Sequence, residues 1–149
     1  MLELPTIMIN FKTYEQASGA NATELVRLCN TVAKETDKSI SCCVEAADIH
    51  ACAHISDSIP ILAQHIDTES AGGHTGKVHI KSIDENGAMG SLINHSEDRI
   101  SLDRIKEVIS LLDERDMLSV VCVKDTCEAK EVASFNPDII AIEPPELIG

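Results

Sequence analysis

Aromatic residues are nearly absent: two Phe, one Tyr and no Trp in 149 residues. A core without rings must be built from Ile, Val, Leu and Ala, the composition of parallel strands covered by helices. No apolar run approaches the ~20 residues a membrane-spanning helix needs. The opening Met1-Leu2-Glu3-Leu4-Pro5 lacks the basic region and apolar stretch of a secretion signal. Both absences point to a soluble, cytoplasmic protein. Basic residues are few, 12 against 25 acidic, for a formal net charge of −13. That balance speaks against nucleic acid and against anionic membrane as partners. An anionic ligand would have to be met by a local cation or by helix N-termini.

Metal and dinucleotide motifs are missing too. The six cysteines contain no Cys-x-x-Cys pair, and Cys42, Cys43 and Cys122 lie in apolar runs, where free thiols behave as small hydrophobes. Reduced cysteines, no metal and no cofactor are therefore expected. His50 and His54 stand four apart, a weak metal signal, but Cys52 between them would face another side of the helix. No Gly-x-Gly-x-x-Gly follows the first strand, which counts against a dinucleotide-binding sheet.

What is present is alternation. Apolar runs at 6–11, 39–44, 61–64, 89–93, 118–123 and 139–142 read as six strands. Between them Asn21-Ala22-Thr23-Glu24 reads as a capping box opening a helix to about Thr36, with Leu25, Val26, Leu28, Cys29 and Val32 on its apolar stripe. Further helices are expected at 48–55, 80–86 and 102–115, and from Asp125 or Thr126 until Asn136-Pro137 stops it. A Gly-rich loop covers 67–76. Six βα units predict a parallel sheet in one domain over 1–149, and the pattern favours a barrel over a doubly wound sheet.

Three strands end on chemistry. The first reads Ile7-Met8-Ile9-Asn10-Phe11-Lys12, the fourth runs into Asn94-His95-Ser96-Glu97, and the sixth into Glu143-Pro144-Pro145. The C-terminal tips of parallel strands are where α/β enzymes place their reacting groups. Taken singly, each has a bland alternative: a surface lysine, a core histidine, a loop glutamate.

Four segments together, Asn10-Phe11-Lys12, Ala63-Gln64-His65 with His74-Thr75-Gly76, Asn94-His95-Ser96-Glu97 and Glu143-Pro144-Pro145-Glu146-Leu147-Ile148-Gly149, make the chain resemble the triosephosphate isomerase family, most closely its archaeal branch. The resemblance implies an incomplete (β/α)8 barrel with about six of eight units. It implies interconversion of dihydroxyacetone phosphate and glyceraldehyde 3-phosphate through an enediolate, a step of glycolysis and gluconeogenesis. Glu143 would be the catalytic base, and His95 the electrophile. Asn10 and Lys12 would bind substrate and Glu97 would support the lysine. Gln64 and Thr75 would lie at the contact of a homo-oligomer, a dimer or tetramer. Ser96-Glu97-Asp98 reads as a helix start, and this family is itself the type example of a histidine kept neutral by a helix N-terminus. It is also a type example of the closing loop that would begin at Glu143. The expectation is an N-terminal portion lacking strands seven and eight with their phosphate site, marginally stable and inactive alone. The alternatives are a non-catalytic barrel-derived binding module, a metal-binding protein using His50 and His54, or another barrel isomerase or aldolase-like enzyme.

Overall fold

Residues 2–144 and Glu146 are described by the computed structural model. The chain forms two compact units, residues 1–64 with 81–89, and residues 65–80 with 90–149. Among the described residues no helix is long and apolar enough to cross a membrane.

The first unit runs β1 (Thr6–Asn10), a 3-10 turn (Glu15–Ala17), α1 (Ala20–Thr36), β2 (Ser39–Val44), α2 (Ile49–Ile55) and β3 (Ile61–Ala63). All but the first residue of α3 (Ile80–Glu85) also falls in it. The strands pair in parallel, with Ile9 opposite Cys42 and Cys43 opposite Leu62. Ile40 through Val44 are all buried, the unbroken burial of a parallel strand covered on both faces.

Helix α1 departs from expectation at both its start and its face. Gly19, at φ +60°, takes the N-cap position, and no side chain caps the helix. Asn21 instead donates its amide to the Glu15 carbonyl, and Thr23 its hydroxyl to that of Ala20. Gly19 is fixed by its N–H bond to Asp48 Oδ2, so the helix begins before the capping box could form. The buried stripe is Ala22, Val26, Cys29, Asn30 and Ala33, whereas Leu28 and Val32 are 61% and 46% exposed. Val26 and Cys29 keep their expected places, and the small Ala22 and Ala33 beside them let α1 lie close against its neighbours.

The second unit contains the loop over 65–79 and then β4 (Gly90–Ile93), α4 (Leu102–Asp113), β5 (Leu118–Val123), α5 (Thr126–Ala133) and β6 (Ile139–Ile142). β4 pairs with β5 and β5 with β6, both in parallel. Ile105, Val108, Ile109 and Leu112 bury the expected stripe of α4. Asp125 caps α5, its Oδ1 accepting the N–H groups of Cys127 and Glu128. β4 lies close to β5 because its first residue has no side chain: a Cβ on Gly90 would stand 2.3 Å from the Leu118 carbonyl oxygen.

Candidate active site

β4 ends at Ile93, and the next residue, Asn94, is buried in the left-handed backbone region at φ +61°. His95 follows, its side chain 12% exposed, with Nε2 2.9 Å from Glu143 Oε1. Glu143 stands just past β6, where its N–H donates to the Val123 carbonyl at 2.7 Å. Its second oxygen, Oε2, accepts the Ser96 N–H at 3.0 Å. The other imidazole nitrogen, Nδ1, accepts the Glu97 N–H at 3.2 Å. With Nδ1 as the acceptor of that bond, Nε2 is the ring nitrogen that faces Glu143 and can donate to it.

No helix starts after His95, contrary to expectation. Asp98 N–H closes a single turn on the His95 carbonyl, and α4 begins at Leu102 with Ser101 as its N-cap. Asn94 Oδ1 takes the Ile100 N–H at 2.9 Å, which fixes 94–100 as a loop and leaves helix initiation to Ser101. His95 Nδ1 here meets one backbone N–H, that of Glu97, rather than a helix N-terminus. The Glu97 carboxylate, more than half exposed, lies 3.6 Å from Nδ1.

Two further groups border the pair. Cys122 is buried, and burial together with the neighbouring Glu143 charge pushes its thiol up to about 12. Ser96 Oγ is buried without a hydrogen-bond partner among the described residues. Neither is given a site role by the sequence, where Ser96 reads as part of a helix start and Cys122 as one more small apolar residue of β5.

In the first unit, Asn10, Lys12 and Gln64 come together. Lys12 adopts φ +50°, a conformation uncommon for a residue with a side chain. Its N–H donates to Asn10 Oδ1 at 2.9 Å, and its carbonyl accepts Gln64 Nε2 at 2.9 Å. Gln64 also reaches the Cys43 carbonyl at 3.2 Å. The side chain expected at a contact between copies is thus engaged within its own chain, bracing the Lys12 backbone.

Thr75 is exposed on the loop of the second unit, whose base is braced by charge. Asp67 accepts the Val78 N–H and the Lys77 ammonium, at 2.8 and 2.9 Å. His65 sits between Asp67 at 3.4 Å and Asp98 at 3.1 Å. Burial works to raise the Asp67 carboxyl, but Val78, Lys77 and His65 outweigh it and hold it at about 2. The His50 and His54 rings stack 6.3 Å apart on the exposed side of α2, while Cys52 is fully buried. No group of three His, Cys, Asp or Glu among the described residues is arranged for a metal ion. Of the expected closing segment, Pro145 and 147–149 lie outside the described residues.

Comparison with known proteins shows the family and the fold. The triosephosphate isomerase family model matches residues 5–149. The triosephosphate isomerase of Methanobrevibacter smithii is 45% identical over 150 residues, covering 99% of this chain and 66% of that protein. Those of Methanothermobacter thermautotrophicus and Methanobacterium bryantii are 44% and 46% identical, with 64% and 65% of their lengths covered. The chain therefore spans just under two thirds of these curated relatives. The crystal structure of triosephosphate isomerase from Bartonella henselae matches with a TM-score of 0.76 at 20% identity, covering 94% of this chain and 68% of that one. That likeness shows the fold, an incomplete (β/α)8 barrel in which about six of eight units are present. With the family model running from Pro5 onward and archaeal relatives at this level of identity, the chain belongs to the triosephosphate isomerase family.

Proposed function

We propose that the protein acts as a triosephosphate isomerase, moving a proton between adjacent carbons of a triose phosphate through an enediolate. Glu143 is the base that takes the proton from carbon. His95 donates its Nε2–H to the substrate oxygen on which negative charge develops. Lys12 and Asn10 bind the anionic substrate, and Glu97 supports the lysine. In this reading the protein works in the cytoplasm as a homo-oligomer, with Gln64 and Thr75 near the contact between copies. No cofactor enters the chemistry.

One observation carries the proposal: with Nδ1 occupied by the Glu97 N–H, His95 turns Nε2 to Glu143 Oε1 at 2.9 Å. The donor and the base of this reading are thus adjacent. A substrate carbonyl that takes the imidazole hydrogen bond would release the carboxylate to the neighbouring C–H.

The test joins the C-terminal third of the Methanobrevibacter smithii relative to this chain and measures isomerisation in the fusion and in the chain alone. Turnover is expected in the fusion, with Glu143→Gln lowering kcat by about 10²–10⁴-fold. His95→Gln should cost about 10²–10³-fold. A folded fusion without turnover, or one indifferent to Glu143→Gln, refutes the assignment.

A further inference from the structure

We propose that Asn94 is the positioning residue that holds the His95 imidazole on Glu143 and keeps its proton on Nε2. Asn94 is 3% exposed, and all of its side-chain polar atoms are engaged. Oδ1 accepts the Ile100 N–H at 2.9 Å. Nδ2 donates to the Cys122 carbonyl at 2.9 Å and to Glu128 Oε1 at 3.3 Å. Glu128 is itself anchored, with Oε2 accepting the Lys124 N–H at 2.7 Å. Arg99 adds a bond to the same Cys122 carbonyl at 3.2 Å. One amide thereby ties the tip of β4 to the end of β5, to α5 and to the far end of the loop that carries His95.

The shared anchor is the end of β5. Asn94 hangs from the carbonyl of Cys122, and Glu143 hangs from the carbonyl of the next residue, Val123. His95 and Glu143 are thus registered against adjacent carbonyls of one buried strand, which sets their separation. The left-handed backbone of Asn94 turns the chain out of the strand immediately before His95, and asparagine is among the few residues with a side chain that tolerate this. A glycine would supply the turn but not the bonds, and an aspartate the turn and the bond from Ile100 but no donor for the Cys122 carbonyl. By fixing 94–100 as a closed loop, the same side chain presents the Glu97 N–H to His95 Nδ1, the contact that selects the tautomer.

The proposal rests on His95 and Glu143 being the acid–base pair, and its test needs no turnover. In the full chain labelled with ¹⁵N-histidine, the His95 ring nitrogens should give two well-separated resonances, one bearing hydrogen and one not. In Asn94→Gly, and in Asn94→Asp, where a carboxylate oxygen would face both the Cys122 carbonyl and Glu128, the two resonances should converge as the tautomers exchange. Pairing Asn94→Asp with Glu128→Gln reverses donor and acceptor at Glu128 but leaves the Cys122 carbonyl without its donor, and should restore the separation in part. Separated resonances in folded single variants overturn the proposal, as does loss of fold in all three proteins, which would make Asn94 a purely structural residue. If only the single variants unfold, separated resonances in the reversed pair support it and converged ones refute it. An inactive enzyme with the expected resonances would instead count against the proposed reaction alone.

Discussion

Replacing Gly90 by alanine should be among the most damaging single-methyl additions available to this chain. Gly90 stands opposite Leu118 at the start of the β4–β5 pairing. A Cβ there would lie 2.3 Å from the Leu118 carbonyl oxygen, 2.6 Å from its Cβ and 2.9 Å from its carbonyl carbon. Ordinary contact begins at 3.4 Å, so β4 would have to retreat by about 1 Å. Backbone cannot rotate out of the way as a flexible side chain can. A retreat of that size carries inter-strand N–H···O bonds beyond hydrogen-bonding distance, at about 0.5–1.5 kcal/mol for each bond. Overpacking adds about 1–3 kcal/mol. The expected cost is about 3–5 kcal/mol, a large share of the ~5–15 kcal/mol that stabilises a typical domain.

Two other glycines separate this steric cost from backbone effects. Gly73 has nothing within 4 Å of its virtual Cβ, so Gly73→Ala should be neutral or gain up to about 1 kcal/mol through the unfolded state. Gly19 has equal space but φ +60° and ψ −128°, and alanine there should cost about 1–3 kcal/mol from the backbone alone. Urea unfolding of the three variants, followed by circular dichroism, measures the order directly. A Gly90→Ala protein within about 1 kcal/mol of the parent, or a Gly73→Ala protein equally damaged, would refute the close approach of β4 and β5.

A thiol-reactive dye should label one cysteine quickly in the native chain, Cys127, the only exposed one of the six, and the remaining five only in denaturant. Cys52, pushed up to about 11 by burial and then by Asp48, and Cys122 at about 12 are also chemically poor nucleophiles; native labelling of either at the Cys127 rate contradicts the packing. Asp67 titrates in the folded chain at about 2, below its unfolded value, so its contribution is complete above about pH 4 and is lost as pH falls toward 2. The gap corresponds to about 2 kcal/mol, and Asp67→Asn should flatten the acid limb of the stability–pH curve by that amount. Equal acid limbs in the two proteins would show that the brace to Val78 and Lys77 contributes nothing.

Much of the fold was legible because parallel strands buried on both faces read as unbroken apolar runs. The strands at 39–44, 118–123 and 139–142 appear where those runs lie. α4 was legible for a related reason, since a stripe at i, i+3, i+4 and i+7 specifies its own buried face. The Asp125 cap was legible because a cap is a local bond between a side chain and the next turn. α1 was misread in part: Val26 and Cys29 are buried as the pattern indicated, but Ala22 and Ala33 take the places of Leu28 and Val32 at the contact, a choice of close approach that periodicity does not encode. The expected helix start after His95 failed for a similar reason, because the bond from Ile100 back to Asn94 competes with local helix formation.

The sequence by itself determined which residue types stand at the strand tips, Lys12, His95 and Glu143 among them, and the order in which they occur. Those are properties of hydrophobic pattern and of motif, and both are local. The tertiary structure alone decided that His95 Nε2 meets Glu143 at 2.9 Å, that Glu97 supplies the bond at Nδ1, and that Gln64 braces Lys12. It also decided that Asn94 shares with Glu143 the carbonyls at the end of β5. Each of these contacts but the Glu97 one joins residues distant in the chain. The separation of such residues follows from strand register and from how closely the backbones approach, and no single segment of sequence specifies either.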